Sequence, residues 1–349
     1  MPGSRRIPPA TGRDVARLAE VHPSTVSRAL NPKSRKGLRP DVVARVLAAA
    51  EELSYRPNRI ARALRVERSQ SIGIIIPDIS NPVYAPIVRG VEDTVRAHRL
   101  SVLIASSDND QTREEELLGS MADQRIDGLL LATASRTYPM LHEVNALGIP
   151  VVFVNRCPDN PTVPFVTGDD ERGIALAVDH LRSLGHTKLA HLAGTETVST
   201  GYHRRLAFMR RVQESGLAGD PNAIVSADMF PDPVGIELGV TLCKELLGRG
   251  VAFTGIVAAN DLMAVGCYDV FKQVGLSIPA DVSIIGYNDV PLVDRLEPPL
   301  TTIRSPHYEI GQRAASALLD LIAGGESRPE TIALAPELIA RGSTAPPKE

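Results

Sequence analysis

ATGRDVARLAEVHPSTVSRALN, residues 10–31, has the length and the pattern of two short helices joined by a tight turn. The helices are predicted at about residues 12–19 and 23–30. Apolar residues recur at positions i, i+3 and i+4 in each, which gives each helix one apolar stripe. The stripe residues are Val15, Leu18 and Ala19 in the first helix and Val26, Ala29 and Leu30 in the second. The two stripes are predicted to pack on each other.

The outward face of the second helix combines small hydroxyls with one long cation, which suits contacts with base edges and phosphates of DNA. An ordinary helical hairpin with a polar face is the alternative interpretation. The candidate DNA-binding residues of this unit are Thr11, His22, Pro23, Ser24, Thr25, Ser27, Arg28 and Asn31.

A third helix is predicted from Asp41 to Leu53, opened by Arg39 and Pro40. Its apolar residues follow the helical period and close a three-helix module; they are Val42, Val43, Val46, Leu47, Ala50 and Leu53. The segment NRIARAL, residues 58–64, follows with Asn58 as a candidate cap. So short a helix should be unstable in water by itself.

Six motifs now cover nearly the whole chain in a fixed order. They are TVSRALN (25–31), LSYRPNRIARAL (53–64), IGIIIPDISNPVYAPIVRGVE (72–92), ANDLMAVG (259–266), VSIIGYNDVP (282–291) and PLTTIRSP (299–306). With these motifs the chain resembles the LacI family of bacterial transcription regulators. The resemblance implies a helix-turn-helix head on an α/β body of two doubly wound parallel-sheet lobes, similar to periplasmic binding proteins.

The charge distribution supports a DNA-binding head. Residues 1–68 contain 15 Lys and Arg against 6 Asp and Glu, whereas the whole chain contains 38 against 41 and has a net charge of −3. A basic head therefore sits on an acidic body. This is the electrostatic pattern expected of a phosphate-binding module; a solvated basic tail would not contain three apolar helical faces.

The body alternates apolar runs with amphipathic stretches, which predicts parallel strands buried on both faces with helices between them. The predicted strands are 71–76, 101–105, 128–132 and 151–154 in a first series, and 188–193, 223–225, 255–258 and 283–287 in a second. The residues Pro298-Pro299-Leu300 are expected to return the chain to the first lobe, and a last strand near 337–341 is expected to return it to the second. The resemblance supports this exchange.

The predicted domains follow from this organisation. The DNA-binding domain spans 10–57, a hinge helix and linker span 58–68, and an effector-binding and dimerisation domain spans 69–345. Within the last, lobe 1 is predicted at about 70–165 and 300–328, and lobe 2 at about 166–297 and 329–345.

Ligands of open parallel sheets bind beyond the carboxyl ends of the strands, so an effector is expected between the two lobes. By resemblance, Tyr84 and Phe230 would flank the ligand, and Asn81, Arg204 and Asn288 would donate or accept hydrogen bonds. Thr200 is a weaker candidate. Core, surface or turn roles remain the alternatives for these residues.

The mechanism implied is that of an allosteric repressor that binds a palindromic DNA operator as a homodimer, with a tetramer as an alternative. At the centre of the site Leu64 would wedge into the minor groove. Ala61 would allow close approach there, and Asn58 and Arg59 are further candidate contacts. An effector that separates the two hinges would release DNA, and one that favours their pairing would be a co-repressor. A sugar is the first choice of effector. A nucleobase or nucleoside is the second, weakened because Val83 and Val198 stand where a purine-binding relative would offer a ring and a cation.

Three positions depart from the family pattern. Asn288 stands where many members have Asp, so a charged acceptor is replaced by an amide that both donates and accepts. Glu20 and His22 stand where the family commonly shows Gly and Ser. A Glu at positive φ costs on the order of 1 kcal/mol, and a lost cap hydroxyl costs about 1 kcal/mol more. Pro23 at the helix start offsets part of this.

Other classes of function find less support in the sequence. The chain contains no G-x-S-x-G, P-loop or G-x-G-x-x-G motif, so an enzyme is not expected. A periplasmic sugar-binding protein is disfavoured by the DNA-binding head and by MPGSRRIPPA at residues 1–10, which lacks a hydrophobic signal segment. Without an apolar run that could cross a membrane, the protein is expected in the cytoplasm. Cys157, Cys243 and Cys267 are predicted to be free thiols, and no disulfide, metal or cofactor is expected.

Overall fold

The computed structural model describes residues 10–30, 34–55, 69–217, 219–227, 235–325, 328 and 330–348. The chain divides into two compact units, Met1–Ser69 and Gln70–Glu349, which we call the head and the body. Six predicted contact residues lie outside the described residues, together with the rest of the predicted hinge at 58–68. The predicted contact residues among them are Asn31, Asn58, Arg59, Ala61, Leu64 and Phe230.

The head contains helices α1 (Gly12–Leu18), α2 (Pro23–Ala29) and α3 (Pro40–Glu52), with one turn of 3₁₀ helix at Arg35–Gly37. Its core is small and consists of valine and alanine, which lets the short helices approach closely; the buried residues are Val15, Ala16, Ala19, Val26, Ala29, Val46, Ala49 and Ala50. Leu18 is 44 % exposed and Leu47 39 % exposed, so their prediction as core residues was wrong. The contacts centre on the valines and alanines, and the two leucines point away from that centre.

The body contains two six-stranded sheets, and the helices of each sheet connect its strands. Lobe 1 is built on β1 (Ser71–Ile76), β2 (Ser101–Ser106), β3 (Leu129–Leu131), β4 (Val151–Val154), β5 (Phe165–Gly168) and β11 (Thr331–Leu334). Lobe 2 is built on β6 (Leu189–Ala193), β7 (Ile224–Ser226), β8 (Gly255–Ala258), β9 (Ser283–Tyr287), β10 (Thr301–Arg304) and β12 (Glu337–Ile339).

The body helices in chain order are α4 (Tyr84–Ala97), α5 (Gln111–Asp123), α6 (Leu141–Ala146), α7 (Asp170–Ser183), α8 (Ser199–Glu214), α9 (Ile236–Gly248), α10 (Asp261–Val274) and α11 (His307–Ile322). Short 3₁₀ turns lie at Pro221–Ala223 and Val293–Arg295. None of the helices in the described ranges combines the length and the apolar character that a membrane span requires.

The strand order is β11-β5-β4-β3-β1-β2 in lobe 1 and β12-β10-β9-β8-β6-β7 in lobe 2. The described pairs are parallel except that β12 runs antiparallel to β10. The fold is therefore two doubly wound α/β lobes. The edge strand β12 lies where a last strand was predicted in lobe 2, but its antiparallel direction was not predicted.

The chain crosses between the lobes at three places, and the last two differ from the prediction. Residues 298–300 do not return the chain to lobe 1, because β10 follows them and pairs with β9 in lobe 2. The return lies after Arg304, and α11 then packs on lobe 1. Likewise, β11 pairs with β5 in lobe 1, so the final crossing to lobe 2 lies between Leu334 and Glu337 rather than near residue 329. Thr301 and Thr302 of β10 are completely buried, as expected for a strand inside the sheet of lobe 2.

Helix α11 is held against α4 at glycines. A Cβ added to Gly90 would lie 2.1 Å from the carbonyl oxygen of Tyr308, and one added to Gly311 would lie 2.0 Å from that of Ile87. Only glycine permits backbones to approach this closely. This contact brings the returning helix onto lobe 1 and sets its first residue, His307, at the boundary between the lobes.

Candidate functional site

The turn between α1 and α2 has the hydrogen bonds of a Schellman motif, in which the residue after the helix takes a left-handed conformation. Glu20 holds that position with φ of 51°. The amide of Val21 donates to the carbonyl of Ala16 at 2.9 Å, and the amide of Glu20 donates to that of Arg17 at 3.3 Å. The expected positive φ at Glu20 is confirmed, and the turn fixes the direction in which α2 leaves.

Replacing Glu20 by glycine is expected to stabilise the head by about 1 kcal/mol, because glycine has no Cβ to strain a left-handed backbone. Native-state hydrogen exchange of the Ala19 amide, which donates to Val15 within α1, measures this in the full chain. Arg45→Gly, at an exposed position inside α3, is the control and should destabilise by a similar amount. An unchanged exchange rate in Glu20→Gly would show that Glu20 does not strain this turn.

Helix α2 retains a cap although a hydroxyl is missing at its first position. His22 is the N-cap, and its Nδ1 accepts from the amide of Ser24 at 3.3 Å and lies 2.8 Å from the Ser24 hydroxyl. The expectation that the cap is lost was therefore wrong, because an imidazole nitrogen replaces the hydroxyl oxygen. Pro23 occupies the first helical position, as expected.

The outward face of α2 is accessible. His22, Pro23, Ser24, Ser27 and Arg28 are exposed and Thr25 is half-buried, while Val26 and Ala29 on the opposite side are buried. The Arg28 guanidinium contacts the carbonyl of Gly37 at a long 3.4 Å. A contact this weak leaves the side chain available to a stronger acceptor.

Thr11 has a structural role in addition to its predicted contact with DNA. Its hydroxyl donates to the carboxylate of Asp14 at 2.7 Å, and the amide of Asp14 donates back to that hydroxyl at 3.4 Å. This capping box begins α1. Any contact of Thr11 with a phosphate would therefore come from a residue that is already fixed at a helix start.

In lobe 2, Arg204 on α8 is the centre of a buried cluster. Its Nε donates to Asp170 at 2.7 Å, its Nη1 donates to the carbonyl of Ala259 at 2.6 Å, and its guanidinium carbon lies 3.7 Å from the ring centroid of Tyr287. The side chains of Arg204 and Asp170 are 9 % and 7 % exposed. Burial alone would lower the pKa of Arg204, but the charge of Asp170 beside it raises that pKa and keeps the guanidinium protonated.

Asn288 follows β9 with a strained backbone, φ of 112°, and is buried. Its backbone amide donates to the carbonyl of Ile303 at 2.7 Å. The next residue, Asp289, binds Arg304 at 2.7 Å and Arg341 at 2.6 Å. The strand end is thus held rigidly, and strain of this kind is concentrated at functional sites in proteins.

In lobe 1 the two candidates behave differently. Asn81 is half-buried, and its Oδ1 accepts from the amide of Val83 at 3.1 Å, which forms the turn before α4. Tyr84 is only 2 % exposed and belongs to the hydrophobic core. Thr200, the second residue of α8, is half-buried.

Sequence reasoning missed three buried polar residues, two at strand ends of lobe 1 and one at the crossing from lobe 2. Ser107 directly follows β2 and Arg156 lies two residues beyond β4, at the carboxyl ends of their strands. His307 begins α11 after the crossing from lobe 2. Burial, and secondly the positive charge of Arg204, lowers the pKa of His307 to about 3. Position after a strand end could have indicated Ser107 and Arg156, whereas His307 depends on the crossing.

Two of these residues leave polar atoms for a ligand. Among the described residues, neither the hydroxyl of Ser107 nor Nε2 of His307 has a hydrogen-bond partner, although both side chains are buried. Such atoms are rare in folded proteins and need a partner such as a ligand or water. Ser107 follows a strand of lobe 1, and His307 begins α11 near Arg204 of lobe 2.

The three cysteines contribute no obvious chemistry. Cys157, Cys243 and Cys267 are free and buried. Burial raises the pKa of the Cys157 thiol to about 12, so it is protonated at neutral pH.

Comparison with known proteins agrees with both units. The profile for "Bacterial regulatory proteins, lacI family" matches residues 11–58, and the profile for "Periplasmic binding protein-like domain" matches residues 178–344. The HTH-type transcriptional regulator MalR of Streptomyces coelicolor is 32 % identical over 341 residues, which cover 95 % of this chain and 96 % of that protein.

Two solved structures share the whole architecture. A transcriptional regulator CelR–cellobiose complex has a TM-score of 0.74 at 28 % identity, covering 96 % of this chain and 99 % of that chain. The lac repressor dimer bound to operator and the anti-inducer ONPF has a TM-score of 0.85 at 26 % identity, covering 97 % of this chain and 100 % of that chain. These similar proteins are regulators of transcription and not enzymes. The chain belongs to the LacI family of bacterial regulatory proteins.

Proposed function

We propose that this transcriptional regulator is a repressor that binds a palindromic operator as a dimer. A small polar molecule that enters the cleft between the lobes would either release the protein from DNA or strengthen its binding to DNA. The observation that carries the DNA-binding part is the accessible polar face of α2, which is held in direction by the turn at Glu20. A helix presented in this way fits the major groove of DNA.

Dimerisation supplies the second half-site. One recognition helix covers a few base pairs, and two related by symmetry read a palindrome. A similar solved protein is a dimer on its operator. The hinge residues Asn58, Arg59, Ala61 and Leu64 would meet at the centre of the site, with Leu64 as the wedge. Acting on DNA, the protein would work in the cytoplasm.

The effector cleft is supported by the polar residues of both lobes. Arg204 and Asn288 lie beyond strand ends of lobe 2, and Asn81 and Ser107 lie beyond strand ends of lobe 1. Amide, guanidinium and hydroxyl groups match the alternating donors and acceptors of a sugar. A structural relative is a complex with cellobiose, which favours a carbohydrate. Phe230 would flank the ring, and Thr200 would add a hydroxyl.

The test is binding of the purified protein to a genomic fragment library at about 150 mM salt, where non-specific phosphate contacts are weakened. The selection is repeated with a pool of sugars and with a pool of nucleosides. Recovery of a palindrome whose occupancy changes with the sugar pool is expected. Response to the nucleoside pool alone would overturn the carbohydrate assignment, and the absence of any selected sequence would overturn the DNA-binding function.

Arg28→Ala is expected to reduce discrimination at one base pair of the selected operator by about 1–3 kcal/mol, if Arg28 reads a guanine. Ser27→Ala should weaken binding to every sequence alike, since a phosphate contact is not specific for a base. Dissociation constants on the operator and on its single-base variants distinguish the two. Equal losses on all sequences for both variants would contradict these roles.

A further inference from the structure

The loop that follows β3 in lobe 1 is attached by hydrogen bonds to helix α5. Thr133 and Tyr138 each donate a side-chain hydroxyl hydrogen bond to the carboxylate of Glu114 on α5. Glu114 is only 6 % exposed. Inside the loop, the hydroxyl of Ser135 donates to the carbonyl of Thr137 at 2.7 Å. Both ends of the segment 133–138 are thus attached to lobe 1, with Arg136 at its middle.

Arg136 is also oriented by its own lobe. Its Nε and Nη2 donate to the two carboxylate oxygens of Asp159 at 2.8 and 2.9 Å, and the amide of Asp159 donates to the carbonyl of Arg136 at 3.0 Å. A bidentate ion pair of this kind fixes the plane of the guanidinium. The flat face of Arg136 is therefore set before it meets anything in lobe 2.

That face contacts lobe 2. The guanidinium carbon of Arg136 lies 3.4 Å from the ring centroid of Tyr202 on α8. The amide of Arg136 donates to the carbonyl of Thr197 at 2.8 Å, and its Nη1 contacts the carbonyl of Glu196 at 3.4 Å. Beside them, the amide of Cys157 donates to the hydroxyl of Ser199 at 3.2 Å. Two loops of lobe 1 therefore bind the same short stretch of lobe 2, the start of α8.

We propose that Arg136 and Tyr202 form a latch that holds the two lobes closed and sets the balance between closed and open forms of the body. The helix that carries Tyr202 also carries Arg204, two residues further on and directed inward. Movement of α8 with lobe 2 therefore breaks the latch and withdraws Arg204 from lobe 1 in one step. The latch rests on lobe contacts alone; its consequence for effector affinity rests on the proposed function.

Distance measurement between spin labels tests the latch without any effector. Thr112→Cys on α5 and Glu237→Cys on α9 place labels on exposed positions at the ends of helices that face the cleft, one in each lobe. The native thiols are buried and should label poorly. The full-length protein with both labels should show one predominant short distance by pulsed electron paramagnetic resonance.

Tyr202→Leu in this background is expected to raise the ratio of long to short distances about two- to five-fold, the size of effect that loss of a partly exposed cation–π contact has on an equilibrium. Tyr202→Phe keeps the aromatic face and should restore the original distribution. Arg136→Lys keeps the charge but loses the planar bidentate ion pair, and should also open the body.

Arg210→Ala is the matched control, because it removes an exposed ion pair of 2.6 Å with Glu171 from the same helix but within lobe 2. It should leave the distances unchanged. Unchanged distances in both Tyr202→Leu and Arg136→Lys would overturn the latch, and so would equal opening in Tyr202→Phe and Tyr202→Leu. Either result leaves the search for an operator and an effector unaffected, and failure of that search leaves the latch measurement valid.

Discussion

Replacing Arg204 by alanine is expected to lower the free energy of unfolding of the body by about 3–5 kcal/mol, the usual cost of breaking a buried ion pair from one side. Asp170 would remain buried without its cation, and the carbonyl of Ala259 would lose its donor. The ring of Tyr287 would lose the guanidinium that covers its face. Uncompensated charge in a buried site is the largest of these penalties.

Urea unfolding followed by far-ultraviolet circular dichroism measures this effect, since the chain contains no tryptophan. Adding Asp170→Asn to the Arg204→Ala variant should recover part of the loss by removing the uncompensated carboxylate. Arg205→Ala is the matched control: it removes an ion pair with Glu196 whose side chains are 28 % and 39 % exposed, and should cost no more than about 1 kcal/mol. A loss in Arg204→Ala as small as that of the control would contradict the account.

Arg204 is a poor position at which to probe the effector site. Because Arg204 stabilises lobe 2, loss of an effector response in Arg204→Ala would not by itself identify a ligand contact. Thr200 is half-buried, so Thr200→Ala is a more direct probe of the cleft.

Asp261 is expected to make the protein less stable as the pH rises from about 4 to 7. The residue begins α10 and is completely buried; its carboxylate accepts from the hydroxyl of Thr302 at 2.5 Å and from the amide of Val290 at 2.8 Å. Burial raises its pKa from 3.8 to about 7, and the two hydrogen bonds only partly oppose that shift. Between these values the folded protein holds a proton that the unfolded chain has released, so stability falls with rising pH, by up to about 4 kcal/mol in total.

Two buried histidines act in the opposite direction. Burial lowers the pKa of His191 to about 4 and that of His307 to about 3, so the unfolded chain binds protons below about pH 6.5 that the folded protein does not. Their contribution to stability therefore rises with pH and partly hides that of Asp261. A comparison of variants separates the two effects, because the histidines are common to both proteins.

Asp261→Asn removes the titration while keeping an oxygen that can accept from the amide of Val290. Its stability relative to the unchanged protein should increase from pH 5 to pH 8 and level off above about pH 7. Asp269→Asn changes an exposed carboxylate on the same helix and serves as the control, with a constant difference across the range. A pH-independent difference for Asp261→Asn would show that the buried carboxyl is ionised throughout.

Local pattern was a good guide to the elements themselves. The strands at Ser71–Ile76, Val151–Val154, Gly255–Ala258 and Ser283–Tyr287 begin and end as predicted. Continuous apolar runs bounded by polar residues define buried parallel strands without reference to the rest of the chain. The first two helices of the head and the strained turn between them were predicted equally well, because capping and backbone preferences are also local.

The pairing of strands that are distant in sequence was predicted less well. The strand Thr301–Arg304 and the strand Thr331–Leu334 were not predicted, and the crossing between the lobes was assigned to the prolines before the former. A short strand belongs to whichever sheet offers it an edge, and that edge is built by residues far away in sequence. The same reason explains Leu18 and Leu47, whose apolar character predicted burial that their neighbours in space do not supply.

The sequence by itself determined the family, the helix-turn-helix head, the two-lobed body and the presence of Arg204 and Asn288 beyond strand ends, since each depends on motifs or on period within a few turns of chain. Only the tertiary structure decided that Tyr84 is buried in the core, that Arg204 is held by Asp170, that His307 lies at the lobe boundary and that Arg136 reaches Tyr202. These are contacts between distant segments, and their geometry is set by how the two sheets are wound together rather than by any local preference of the residues involved.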